Sequence, residues 1–599
     1  MLRRHLLKGI AAAAIVSQAG LWSPVLASAA RAASRVRPGD PGWPSRASWQ
    51  KLKDTVGGNL IEVPQVFAAC QSDPAAVACR DVKFNARNPF YLGDQPAGTQ
   101  VSGWLDAWTP APSAYAVKAR NAADVAAAVD FARENNLRLV VKGAGHSYQG
   151  TSNAPDSLLV WTRAMSAVTL HDSFVPTGCE GKVTAVPAVT AESGAMWIDL
   201  YNAVTTEGGR YVQGGGCTDV GVAGLVQSGG FGSFSKGFGT AAAGLLEAEI
   251  VTADGKTRIV NACNEPELFW ALKGGGGGSW GVVTKVTLRT HELPEFFGYV
   301  SGTIKAQSDD AYRKLIARIL DFYADNLLTP HWGEQISFTP QNVLKLSMVC
   351  QGLDNSQVQG IWQPFFDWVK AMPKDFAIAE PLNAGAVPSR HWWDVAGNPS
   401  MIPDARPGVP NYHGWWMGDQ GQVGAYLYGY ESLWLPAALL MPGSRQHLAD
   451  ALFASSRSKP VSLHTNKGLA GASDESLAAV RDTATNPAVM GAFALAIIAD
   501  GDVPELGVTP PRIDMDKAHK SAHAIDMAAA ELRKIAPDSG SYVSESNYFN
   551  SQWQSAFWGE NYARLSAAKE KYDPQGLFFV HHGVGSETWS ADGFTRVTV

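Results

Sequence analysis

Apolar positions along this chain change period several times. Residues 113–118 (SAYAVK) alternate as a strand does. Over 121–136, Val125, Ala128, Val129 and Ala132 recur at helical spacing, which places them on one helix face. Residues 137–142 (LRLVVK) predict a buried strand that runs straight into Gly143-Ala-Gly-His-Ser147. Further strands are predicted at 158–161 and 185–189, and a helix at 193–206. Residues 245–252 and 257–260 predict a hairpin, because Ala253-Asp254-Gly255 between them supplies a turn dipeptide. A short helix at 267–272 and a strand at 281–289 flank the five-glycine run 274–278.

After Pro294 the pattern shifts. Residues 296 to about 530 alternate helical stretches such as 311–323 with strands such as 343–350. They carry a dense aromatic set: Trp392, Trp393, Tyr412, Trp415, Trp416, Tyr426, Tyr428 and Tyr430. Such a set suits either a pocket wall for a ring or sugar or an ordinary sheet core. In the polar patch Leu463-His-Thr-Asn-Lys-Gly-Leu469, His464 faces either a substrate or a structural hydrogen bond. Residues 558–572 predict an amphipathic helix stopped by Asp573-Pro574. Residues 34–105, rich in proline, glycine and tryptophan, show little periodicity and read as a wrapping segment.

Composition narrows the class. A chain of 599 residues exceeds one core, so at least two domains are expected. With a net charge of −6, nothing argues for nucleic acid or an acidic membrane surface as a partner. No apolar run after the N-terminus is long enough to span a bilayer. Residues 1–33 read as a targeting signal: Arg3-Arg4-His5-Leu6-Leu7-Lys8 precedes a mostly apolar run and small residues near Ala27-Ser28-Ala29. The pattern resembles a twin-arginine signal, with an ordinary secretory signal as the alternative. It implies export machinery as a partner and a periplasmic or secreted location. The six cysteines contain no CxxC, which disfavours zinc and iron–sulfur sites. Cys70 and Cys79 either pair in an oxidising compartment or stay as two thiols.

The chemistry centres on residues 214–239, GGGCTDVGVAGLVQSGGFGSFSKGFG. Repeated glycine costs backbone entropy and marks tight turns or backbone lying against a ligand. Cys217 sits in that cradle. About seventy residues earlier His146 ends a buried strand among glycines whose bare amides suit a diphosphate. Gly276-x-Gly278-x-x-Gly281 matches a dinucleotide fingerprint in letters only. A helix is predicted before it and a strand after it, the reverse of the required context.

These motifs, in this order, resemble the berberine-bridge-enzyme-like FAD-linked oxidases of the vanillyl-alcohol-oxidase superfamily. Lys142-Gly-Ala-Gly-His-Ser147 is similar to the family's R-x-G-G-H-S. Gly215-Gly-Cys-Thr-Asp-Val-Gly-Val-Ala-Gly224 is similar to G-x-C-P-T-V-G-V-G-G. Leu268 to Val283 and the C-terminal Trp558-Gly-x-Asn-Tyr-x-Arg-Leu…Tyr572-Asp-Pro complete the set. The resemblance implies an α+β fold of two lobes. A PCMH-type FAD-binding domain would span 106–294 and an antiparallel-sheet substrate domain 296–530, with a C-terminal segment, 531–590, returning to the FAD lobe.

It further implies FAD bonded covalently through His146 and Cys217. Lys142, Gly143, Ala144, Gly145 and Ser147 would contact the cofactor from the first motif. Gly216, Val220, Gly221 and Gly224 would do so from the second, followed by Gly229 and Gly230. Valine at position 220 is associated in the family with reaction with molecular oxygen. Lys142, Ala144, Thr218 and Asp219 depart from the family pattern. A substrate base is expected from Tyr542 or Glu545, placed on a strand before the C-terminal helix; Tyr428 or Tyr430 are the alternatives. The activity implied is oxidation of a small-molecule alcohol or related C–H donor with production of hydrogen peroxide. A dehydrogenase using a quinone or carrier protein, and a non-catalytic flavin-binding module, are the competing readings.

Overall fold

The computed structural model describes residues 34–507 and 512–597; the predicted signal at 1–33 lies outside them. The described chain starts with a helix, Arg46–Thr55, capped by the Ser45 hydroxyl and buried through Trp49 and Leu52. Trp49 stacks on Tyr115 with ring centroids 4.1 Å apart. β1 (Leu60–Glu62), β2 (Tyr115–Lys118), β3 (Arg138–Lys142) and β4 (Ser157–Trp161) form a sheet ordered β1-β2-β4-β3. β2, β4 and β3 run parallel. A parallel sheet is covered on both faces, so its strands read as unbroken apolar runs. The helix Ala122–Glu134 lays Val125, Ala128, Val129 and Ala132 into the core beside it.

The segment 34–105 does more than wrap. It contributes β1, which pairs antiparallel with β2, and the helices Arg46–Thr55, Ala68–Ser72, Val77–Asn85 and Pro89–Gly93. Most of these are under three turns long, too short for a period to register in the sequence.

β5 (Val168–Phe174), β6 (Val186–Glu192), β7 (Arg210–Val212), β8 (Leu245–Val251), β9 (Thr257–Asn261) and β10 (Val282–Glu292) make an antiparallel second sheet. Its order is β5-β6-β10-β8-β9, with β7 on β10. The helix expected over 193–206 begins only at Trp197, because the Asp199 carboxylate accepts from the Met196 amide at 2.8 Å and caps it there. It then widens into a π-helix, Tyr201–Glu207.

The third sheet holds β11 (Phe296–Ala306), β12 (Trp332–Thr339), β13 (Val343–Gln351) and β14 (Phe376–Pro388). A short pair, β15 (Met401–Pro403) and β16 (Gly414–Trp416), stands apart from it. β17 (Tyr426–Pro436), β18 (Val461–His464) and β19 (Ala492–Asp502) complete the sheet in the order β14-β11-β13-β12-β18-β19-β17. Every pairing in it is antiparallel. Helices Asp309–Asn326, Asn355–Lys370, Arg445–Ser458 and Met515–Arg533 cover one face. Alternate residues such as Leu344, Leu346 and Met348 form the core with them. The other face is turned toward the first two sheets.

The C-terminal segment returns to the first lobe. Trp558 Nε1 donates to the Gly274 carbonyl at 3.0 Å, and Phe578 bridges β3 at Leu139. The single helix expected over 558–572 is broken. Gly559 takes φ 54°, so Trp553–Trp558 ends there and Tyr562–Tyr572 restarts after a 3-10 turn. Cys70 and Cys79 form a disulfide, and so do Cys179 and Cys263; the second pair had no local signal.

Candidate functional site

A cavity of about 1430 Å³ lies between the lobes, larger than the roughly 300–1,000 Å³ of a pocket for one small ligand. One wall is the turn after β3, the loop after β7 and the glycine run before β10. The opposite wall is the open face of the third sheet. His146 and Cys217, 71 residues apart in sequence, both line this cavity. His146 Nε2 is bonded to Asp219 Oδ2, and Asp219 is only 1% exposed.

A strap from the substrate lobe crosses the same place. Thr218 Oγ1 donates to the Gly414 carbonyl at 2.7 Å, and Trp416 Nε1 donates to the Gly216 carbonyl at 3.1 Å. The strap thereby brings Asp419 against the Cys217 thiol. Burial, with Asp219 nearby, pushes the Asp419 carboxyl up to about 7. Burial and the same two carboxylates push the Cys217 thiol well above its ordinary value.

The expected cofactor residues divide. Gly143, Ala144, Gly145, Ser147, Gly216, Val220, Gly221 and Gly224 line the cavity. Lys142 lines it with its stem only, since its ammonium donates to the carbonyls of Gln95, Pro96 and Gly98 at 2.5–2.8 Å. Fixed there and driven down to about 7 by burial, it clamps the loop 95–98 and is not presented to a phosphate. Gly229 and Gly230 stand behind the wall. A Cβ on Gly230 would lie 2.7 Å from that of Ala241, so packing requires this glycine.

Tyr542 and Glu545 do not lie on a strand. They are the two ends of a tight turn, with the Glu545 amide donating to the Tyr542 carbonyl at 2.9 Å. A strand would send residues three apart to opposite faces, whereas the turn aims both into the cavity. Glu545 pairs with Lys467. Tyr542 packs edge-on against Phe231, and burial raises its phenol above the ordinary value.

Of the aromatic set, Trp392, Trp393, Trp416 and Tyr430 line the cavity; Tyr412, Trp415, Tyr426 and Tyr428 do not. His464 also lines it, neutral through burial.

Other residues of the site escaped the sequence reading. Tyr148, two places after His146, holds Gln422 of the strap at 2.8 Å and lies 5.5 Å from the Tyr430 ring. Its position inside the motif was the available signal. Glu334 sits in β12 with φ 68° and accepts from Ser233, a backbone state costly for a non-glycine residue. Nothing in the local sequence announces it.

Several buried polar atoms on the cavity wall lack protein partners: Ser193 Oγ, Gln227 Oε1, Ser279 Oγ, Gln149 Oε1 and His582 Nδ1. Each unsatisfied group costs about 1–3 kcal/mol, so the wall is built to receive a polar ligand. A Cβ at Gly224 would meet nothing within 4 Å, which leaves that side open. The glycine run follows a helix, Pro266–Leu272, and precedes β10, so it cannot act as a Rossmann fingerprint. Orphaned donors and acceptors, bare glycine backbone and space for a long ligand fit FAD.

Comparison with known proteins agrees. Residues 113–261 match an FAD binding domain, and residues 531–585 match the family described as berberine and berberine like. The VAO-type flavoprotein oxidase VAO615 of Thermothelomyces thermophilus is 28% identical, over 94% of this chain and 95% of the relative. The chain is an FAD-linked oxidoreductase with an FAD binding domain and a berberine-like segment, and it is similar to the VAO-type flavoprotein oxidases. The crystal structure of MtVAO615 from Myceliophthora thermophila superposes on this oxidoreductase with a TM-score of 0.76 at 25% identity, covering 94% of this chain and all of the other. Glucooligosaccharide oxidase from Acremonium strictum, described with a 6-S-cysteinyl, 8α-N1-histidyl FAD, shares the fold at 20% identity and a TM-score of 0.59, over 81% and 94% of the two chains. Among the described residues of the oxidoreductase, no helix is long and apolar enough to cross a membrane.

Proposed function

We propose that this FAD-linked oxidoreductase is an exported oxidase of an alcohol-type C–H donor, a sugar or an aromatic secondary metabolite. Its flavin is bonded to both His146 and Cys217, and oxygen is reduced to hydrogen peroxide. The observation that carries the reading is that one cavity is lined by an imidazole, a thiol and several partnerless polar atoms. The bicovalent flavin of the Acremonium strictum enzyme, on the same fold, supports it. When bound, the isoalloxazine accepts hydride at N5 and returns the electrons to oxygen.

The chain's own residues do the rest. Lys467 pairs with Glu545 beside the cavity, and Glu545 takes the substrate hydroxyl proton. Tyr542 and Tyr430 keep their protons through burial and donate hydrogen bonds to the same oxygen. Trp392 and Trp416 offer flat apolar faces to a ring. Two disulfides suit an oxidising compartment, in keeping with an export signal at 1–33.

Acid precipitation of the purified protein is expected to leave the yellow colour on the polypeptide. His146→Ala or Cys217→Ala alone keeps it through the other link, and the double variant releases it. Flavin freed by acid from the wild type overturns the proposal. A screen of donors for peroxide release, run against dye reduction without oxygen, separates oxidase from dehydrogenase.

A further inference from the structure

Two carboxylates at this site have no task in substrate oxidation. Asp219 is buried and holds Nε2 of His146. A carboxylate on Nε2 keeps the ring proton there and turns the lone pair of Nδ1 outward. Asp419 arrives from the other lobe, more than 200 residues away, and lines the same cavity as Cys217. Its Oδ2 is buried without a partner in the hydrogen-bond network. The strap that brings it is latched on both sides of Cys217, through Gly216 and Thr218. His146 thus has a carboxylate on its ring nitrogen, and Cys217 has one carried to its cavity by the strap that is latched on either side of it.

We propose that Asp219 and Asp419 are the proton acceptors of self-flavinylation, Asp219 serving the bond from His146 Nδ1 and Asp419 the bond from Cys217 Sγ. This rests on the bicovalent reading above. Asp219 stabilises the imidazolium formed as Nδ1 bonds to the 8α carbon and then takes its Nε2 proton. Asp419 takes the thiol proton as Sγ bonds to ring carbon 6.

In each reaction one N–H or S–H proton and one C–H proton of the flavin leave, and one N–C or S–C bond forms. The electron pair of the broken C–H bond stays on the ring system. Molecular oxygen, the co-reactant, accepts that pair with two protons as hydrogen peroxide and restores the oxidised ring. The two carboxylates are suited to different donors: Asp219 is hydrogen-bonded to the imidazole, whereas Asp419, raised to about 7 by burial, is poised to exchange a proton near neutrality.

The test is peptide mapping by mass spectrometry of wild type, Asp219→Asn and Asp419→Asn, with the flavin bound before denaturation measured for each. Asp219→Asn is expected to lower occupancy of the His146 link at least about tenfold while the Cys217 link persists. Asp419→Asn is expected to do the reverse. Bound flavin before denaturation stays near wild type in both, which a merely unfolded site would not allow. The glutamate variants at the two positions are expected to restore linkage in part. Should an asparagine variant fail to fold, the serine variant replaces it with the same expected loss. Wild type linked at both positions, together with variants linked as fully, overturns this inference alone. Wild type with no covalent flavin overturns the proposed function, and this inference with it.

Discussion

At the residue scale, the proposed substrate base Glu545 is paired with Lys467 at the cavity. Glu545→Gln is expected to cut kcat roughly 10²–10⁴-fold with the flavin spectrum unchanged, measured on whichever donor the screen returns. Lys142 makes a second residue-scale prediction. The unfolded lysine keeps its proton to about 10.5, whereas the folded one begins to release it near 7. Between those values the unfolded chain binds more protons, so this group's contribution to native stability rises with pH. The melting-temperature gap between wild type and Lys142→Met is therefore expected to widen from about pH 7 to about pH 10. A constant gap would show that Lys142 stays charged throughout.

At the scale of elements, the helices and strands around the first motif were legible because their periods are undisturbed. The helix Ala122–Glu134 buries the four residues its spacing selected. The hairpin β8–β9 turns where Asp254-Gly255 allowed it. Elements failed to show where a single tertiary contact overrides the period. The π-helix Tyr201–Glu207 widens where Tyr201 stacks on Trp393 at 4.0 Å, a partner nearly two hundred residues away. The turn Tyr542–Glu545 follows from Ser432, which donates to the Glu545 carbonyl. The disulfides act at this scale too. Cys179–Cys263 closes 84 residues and Cys70–Cys79 closes nine. In the chain-entropy account, their removal costs about 4–5 and about 2–3 kcal/mol respectively. Chemical denaturation of the two double-serine variants is expected to preserve that order.

Across the whole molecule, the flavin wall is held from behind by the C-terminal segment. Lys569 is buried and donates to the carbonyls of Ser279 and Phe578 and to Asp573 at 2.6–2.7 Å. Lys569→Met leaves a buried carboxylate unpaired, so a loss of roughly 3–5 kcal/mol is expected, with weaker retention of flavin in a double variant lacking both links. The sequence by itself determined the repertoire: most of the segments that are strands and helices, and the glycine-rich turns that line the cavity. Those properties are set by neighbours within a few residues, where period and turn chemistry act. Only the tertiary structure decided that Asp219 meets His146, that Asp419 reaches the cavity of Cys217, that Lys142 is a clamp, and that Glu334 is held in a strained state. These outcomes depend on distances between segments hundreds of residues apart. Such distances are fixed by how three sheets and a crossing strap pack together, and no local pattern carries that information.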